Sequence, residues 1–241
     1  MLLKEGSPFF GYKLVLTGHS LGAGCAAVLS FMLRTKYPDL KCLCFSPPGC
    51  TLSENMAERC KEYLTSYVLD DDIIPRLSLQ SMEHLRDDVL EMIARIKVTK
   101  QHAMHAKRSY NAETNGEILH SRESIPPSKF SEQLAEFRAH NEKKKEESPM
   151  LDVPLYPPGK IVHLVKTGEK RGCLLSCKTD GHDNPYTATW VEASDLSEVI
   201  ISSHLLDDHH PLNVLKELER IADAFGLSPP FTIPERAHVN S

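Results

Sequence analysis

Gly18-His19-Ser20-Leu21-Gly22 sets a serine between two glycines, after the apolar run Leu14-Val-Leu-Thr17 and before the small-residue stretch Ala23-Gly-Cys-Ala-Ala27. Few sequences constrain a chain more. Residues 12–17 read as a strand and residues 21–37 as a helix that stops at Pro38. A serine at the junction sits on a tight strand-to-helix turn, where the flanking glycines remove Cβ atoms that would collide with neighbouring backbone. Such a turn exposes the hydroxyl at the top of a sheet. It also sets the serine beside a helix N-terminus, with the N–H of Leu21 pointing where negative charge develops in acyl transfer.

The alternation continues beyond the elbow. Residues 40–45 form the next apolar strand, closed by Ser46-Pro47-Pro48-Gly49; residues 52–63 read as a helix and 64–69 as a third strand. Strands alternating with helices imply a parallel sheet covered by helices, an α/β fold. Leu79, Met82, Leu85, Val89, Met92, Ile93 and Ile96 recur at three and four residues over 78–97, which predicts an amphipathic helix whose apolar stripe faces a core or borders an acyl groove. Residues 99–150 carry little apolar periodicity, apart from a solvated helix over 130–145, and read as a mobile lid or regulatory insertion. Order resumes with strands over 160–166, 172–177 and 186–191 and a terminal amphipathic helix over 212–225.

An elbow strand needs neighbours on both sides, because a central parallel strand pairs its backbone twice. Residues 1–11 cannot supply a packed strand and helix. The chain is therefore expected to be the C-terminal part of a catalytic domain, with the N-terminal strands of the sheet missing.

Composition excludes several classes. A net charge of -5 over 241 residues argues against a nucleic-acid surface. No stretch approaches the roughly 20 apolar residues of a membrane span, and the N-terminus has no signal-peptide pattern. Cys25, Cys42, Cys44, Cys50, Cys60, Cys173 and Cys177 are odd in number and often in apolar segments, so they are read as reduced core residues in an intracellular protein. Cys173 and Cys177 with His182 lack further ligands at metal-binding spacing, so no metal is expected there.

A serine hydroxyl becomes a nucleophile when an imidazole takes its proton and a carboxylate orients that imidazole. After Ser20 the chain offers Asp70-Asp71-Asp72 following a strand, then Asp207-Asp208-His209-His210-Pro211. That order, serine then acid then histidine, is the one used by α/β-hydrolases. The choice within each cluster stays open on these grounds. The three aspartates also suit a solvated charge run or a cation site, and Asp208 ahead of Pro211 suits a helix cap. His19 diverges from Ser20 at a sharp turn and is read as structural, packed against a neighbouring loop.

Six blocks in order resemble the sn-1-specific diacylglycerol lipases, a branch of the class 3 lipases among the α/β-hydrolases. They are Leu16-Thr-Gly-His-Ser-Leu-Gly-Ala-Gly24, Tyr37-Pro38, Phe45-Ser-Pro-Pro-Gly49, Val68-Leu69 with Asp72-Ile-Ile-Pro-Arg-Leu77, Pro154-Leu-Tyr-Pro-Pro-Gly-Lys-Ile-Val-His-Leu164, and Leu205-Leu-Asp-Asp-His-His-Pro211. The resemblance implies Ser20 as nucleophile, Asp72 as the acid and His209 as the base, with Leu21 N–H as one oxyanion donor, a second coming from an upstream loop, and Gly18 and Gly22 as the elbow glycines. It implies hydrolysis of diacylglycerol at the sn-1 ester to 2-monoacylglycerol and a fatty acid. It implies a membrane-associated location on the cytoplasmic face of the plasma or an intracellular membrane, and kinases acting on the 99–150 loop. The chemistry requires no cofactor; the resemblance allows calcium. The family's upstream transmembrane helices have no counterpart in these residues. Two other readings stand beside this one: another neutral-lipid lipase or esterase, and an inactive lipase fragment that binds lipid or a partner.

Overall fold

A computed structural model describes residues 3, 5–99, 101–102, 118–148, 153–166 and 186–227. The expected strand over 172–177, Cys173, Cys177 and His182 lie outside the described residues. The chain divides into two compact units, residues 1–77 with 155–241, and residues 78–154.

The first unit is built on a five-stranded sheet. Its strands are β1 (Val15–His19), β2 (Lys41–Phe45), β4 (Leu64–Leu69), β6 (Lys160–Lys166) and β7 (Tyr186–Val191), in that spatial order. The first four are parallel and β7 runs antiparallel to β6, so the sheet is mixed and mostly parallel, as an α/β-hydrolase-like core requires. A second, two-stranded pair joins β3 (Leu52–Ser53) to β5 (Leu155–Tyr156). This pairing replaces the first turn of the helix expected over 52–63; α2 (Glu54–Cys60) begins only after Ser53 turns into it.

The helix α1 (Leu21–Leu33) lies along β1 and β2. Its buried side is made of Ala23, Gly24, Ala26, Ala27 and Ser30, residues small enough to bring helix backbone close to sheet. They pack with Leu40, Cys42, Cys44, Leu52, Ala57, Cys60, Tyr63 and Leu64 in the main core. Cys42, Cys44 and Cys60 are buried in that core, Cys25 and Cys50 are exposed, and these five are free thiols. The helix α5 (Pro211–Ala224) covers the far side, where Val214 packs on Leu69 and Leu164. Among the described residues β1 pairs with β2 alone and forms one edge of the sheet. No helix among the described residues is long and apolar enough to cross a membrane.

The second unit contains α3 (Leu79–Arg95) and α4 (Lys129–Glu147). Each begins with a reciprocal serine cap: Ser81 N–H donates to Ser78 Oγ at 3.0 Å, and Ser131 N–H to Ser128 Oγ at 3.1 Å. The chain returns to the end of α3 through Lys97 N–H to Ile118 O at 2.8 Å and His120 N–H to Arg95 O at 2.7 Å. Among the described residues no core covers the apolar stripe of α3. Leu79, Met82, Val89, Met92, Ile93 and Ile96 are all exposed, and Ser81 is the buried residue of the helix. α3 meets α4 through its charged side instead: Glu83 pairs with Lys145 at 3.1 Å, Glu91 with Arg138 at 3.9 Å, and the Arg86 guanidinium lies 5.1 Å from the Phe137 ring centre. Periodicity fixed the helix but not which of its faces would find a partner.

Candidate active site

Ser20 occupies the single residue between β1 and α1, with φ 55° and ψ -128°. A serine held there costs of order 1–3 kcal/mol, which surrounding structure must offset. The hold is visible: Ser20 N–H donates to Phe45 O at 3.0 Å, and Ser20 O accepts Ala23 N–H at 2.9 Å and Gly24 N–H at 3.2 Å. The N–H groups of Leu21 and Gly22 are left at the open end of α1, beside the hydroxyl. The two elbow glycines differ. A Cβ on Gly18 would collide with the carbonyl of Gly22, so the turn closes only with glycine there. A Cβ on Gly22 meets nothing within 4 Å, because that residue lies on the solvent side of the first helical turn. The steric argument applies to Gly18 and not to Gly22.

The aspartate run leaves the end of β4 through Asp70, whose φ of 36° turns the chain sharply. Each member has a separate role. Asp70 ties the turn to β6: its N–H donates to Leu164 O at 2.9 Å and its Oδ1 accepts Lys166 N–H at 3.3 Å. Asp71 gives its N–H to Asp208 Oδ2 at 3.2 Å. Asp72 is fully buried and accepts Ile74 N–H on Oδ1 at 3.0 Å. The Ser-Pro-Pro-Gly loop after β2 braces this turn. Gly49 N–H donates to Ile74 O at 3.0 Å, and a Cβ on Gly49 would strike the carbonyl of Pro75.

His209 reaches both sides. Ser20 Oγ–H donates to His209 Nε2 at 3.0 Å, and His209 Nδ1–H donates to Asp72 Oδ1 at 3.0 Å, with Oδ2 at 3.2 Å. The carboxylate can only accept, so it fixes the imidazole proton on Nδ1 and leaves the Nε2 lone pair for the serine hydroxyl. The structure thus brings Ser20, Asp72 and His209 into one hydrogen-bonded chain from residues up to 189 apart. His210 is not in it. Its ring turns outward and accepts Leu212 N–H at 3.3 Å, capping α5. Asp208 turns inward rather than capping that helix. Burial pushes its carboxyl up to about 6, partly opposed by the N–H of Asp71.

Two features of the site go beyond what the sequence specifies. Arg76 is buried to 5% exposure, facing the charges of Asp70, Asp71 and Asp72; burial lowers the affinity of its guanidinium for its proton while those carboxylates raise it. His19, expected to pack against a loop, packs on the one that carries His209. A basic residue after an acidic run signals the first; nothing local signals the second.

Asp70, Asp71 and Asp208 bring one carboxylate oxygen each to within 4.8 Å of the others, a group able to hold a metal ion. Their hard oxygen donors suit calcium in kind, with water completing the six to eight oxygens that ion takes. A cation held there would offset the crowding of like charge directly before Asp72 and His209.

Residues 2–82 match the family described as "Lipase (class 3)". The chain is 34% identical over 221 residues to diacylglycerol lipase-alpha of Rattus norvegicus, an alignment covering 89% of this chain and 20% of that protein. It is 33% identical over 220 residues to diacylglycerol lipase-alpha of Homo sapiens, with the same coverage of each. It is 33% identical over 223 residues to diacylglycerol lipase-beta of Mus musculus, covering 87% of this chain and 32% of that protein. The chain therefore spans a fifth to a third of the length of these relatives. The sequence matches the class 3 and diacylglycerol lipases over part of a larger protein, which supports lipase or esterase chemistry.

Proposed function

We propose, from the match to class 3 lipases as premise, that this chain carries the catalytic centre of a serine ester hydrolase that cleaves the sn-1 acyl ester of diacylglycerol. The observation that carries the reading is the hydrogen-bonded chain from Ser20 through His209 to buried Asp72. His209 takes the Ser20 proton on Nε2 while Oγ bonds the ester carbonyl carbon. Negative charge on the carbonyl oxygen is met by the N–H of Leu21. The glycerol oxygen then leaves with the proton from His209, giving 2-monoacylglycerol and an acyl-serine. Water gives its proton to His209, its oxygen bonds the acyl carbon, and Oγ departs with that proton as the fatty acid is released. Asp72 holds the imidazole and stabilises its cation in both halves.

An apolar substrate is supported by the residues flanking the centre. Leu21 is 74% exposed beside Ser20, while Leu206 and Leu212, three residues either side of His209, are 70% and 66% exposed. The location that follows is a membrane surface, where such a substrate resides. The insertion at about 99–150, inside the second unit, takes the part of a regulatory segment open to kinases.

The test is hydrolysis of diacylglycerols labelled at sn-1 or sn-2, with the Ser20→Ala chain as control. Release of the sn-1 label alone, absent from the control, is the expected result. Release of both labels assigns a less selective neutral-lipid esterase, and release undiminished in Ser20→Ala overturns the reading.

A further inference from the structure

The loop that carries His209 has little regular structure, so its placement depends on ties to other segments. Two run from the aspartate turn: Ile73 N–H donates to Leu205 O at 3.3 Å, and Asp71 N–H to Asp208 at 3.2 Å. Neither reaches His209 itself. The tie to its backbone comes from the elbow. His19 Nε2–H donates to the backbone carbonyl of His209 at 2.9 Å, and the two rings lie 4.7 Å apart, tilted by 38°. A carbonyl only accepts, so this contact fixes the His19 proton on Nε2. His19 is the last residue of β1, in register with Phe45, whose carbonyl also holds Ser20 N–H. The same sheet end therefore sets the serine and the backbone of its base.

We propose that His19 is a positioning residue that holds His209 in register through the acyl-enzyme stage, an inference that rests on the ester-hydrolase reading above. Before acylation His209 has three anchors: Ser20 Oγ, Asp72 and His19. Once Ser20 Oγ is an ester oxygen it has no proton to donate, and that anchor is gone. Asp72 still orients the ring through Nδ1–H but makes no bond to the backbone that carries it. The bond from His19 is made to backbone, so it survives each change at Ser20 and keeps Nε2 where water must be activated. Loss of His19 therefore slows deacylation more than acylation.

The experiment is pre-steady-state hydrolysis of p-nitrophenyl butyrate by the full chain, its Ser20→Ala control, and two variants that separate ring from donor. His19→Phe keeps a ring and loses the N–H; His19→Gln keeps an N–H of similar reach and loses the ring. In His19→Phe, kcat is expected to fall roughly ten- to a hundred-fold with a burst near one p-nitrophenol per chain, as misplacement of a base by a fraction of an ångström would give. His19→Gln should stay within about three-fold of the native kcat, with the native burst amplitude. His19→Met replaces Phe if thermal unfolding shows that His19→Phe does not fold. Native kcat in the donor-less variant, equal loss in it and in Gln, or loss without a burst each overturns the proposal. Ser20→Ala retaining turnover would instead overturn the hydrolase reading, so the two failures are distinct.

Discussion

Asp208 accepts the backbone N–H of Asp71 at 3.2 Å, so the residues directly before His209 and Asp72 are bonded to each other. This clamp sets the distance between the acid and the base from one residue behind each. Asp208→Ala removes the acceptor and leaves a half-buried N–H, which costs about 1–3 kcal/mol. It should also lower kcat more than KM, because the bond between His209 and Asp72 lengthens. Asp208→Asn keeps an oxygen acceptor and should retain most activity. Urea unfolding and steady-state kinetics on both variants check this; equal losses in both would assign the effect to charge rather than to the clamp.

The same carboxyl gives a pH signature. Burial raises Asp208 from 3.8 in the unfolded chain to about 6 in the fold, so between those values the folded state binds the extra proton. Its contribution to stability is full below about 4, declines as pH rises to 6, and is flat above. Asp208→Asn lacks this decline. Urea midpoints at pH 4.5 and pH 7 in the presence of a chelator should therefore shift in favour of Asn, relative to native, at the higher pH. An unchanged difference would show that Asp208 is ordinary in the fold.

The two elbow glycines should separate in mutagenesis. Gly18→Ala drives a Cβ into the Gly22 carbonyl and should cost about 1–3 kcal/mol, with loss of activity as Ser20 is displaced. Gly22→Ala meets open space in the first turn of α1, where alanine is the better helix former by up to about 1 kcal/mol. Thermal unfolding of the pair checks the order, and similar losses at both positions would contradict the packing of the elbow.

Legibility followed the range of each interaction. The elbow was readable because its strand, turn and helix lie within residues 15–33, and each leaves a local mark in residue size and polarity. The choice of Asp72 over Asp70 and Asp71 was not readable from the residues, since it depends on the left-handed turn at Asp70 and on a bond spanning 137 positions. Resemblance to a family supplied that choice, as it did His209 over His210. The antiparallel pair of Leu52–Ser53 with Leu155–Tyr156 was invisible because two residues carry no period. The period of α3 marks it as amphipathic but does not say which side is covered: its apolar stripe is exposed, and Glu83, Arg86 and Glu91 find their partners in α4. His19 reads as packed against a neighbouring loop, but that the loop is the one carrying His209 depends on a bond spanning 190 positions.

The most direct measurement is intact-mass detection of labelling by a fluorophosphonate, which reacts only with an activated serine, on the native chain, Ser20→Ala and His209→Gln. A single adduct on the native chain, absent from Ser20→Ala and formed on the order of 10⁴-fold more slowly in His209→Gln, is the predicted result. A native adduct that persists in Ser20→Ala, or forms as fast in His209→Gln, would contradict the account.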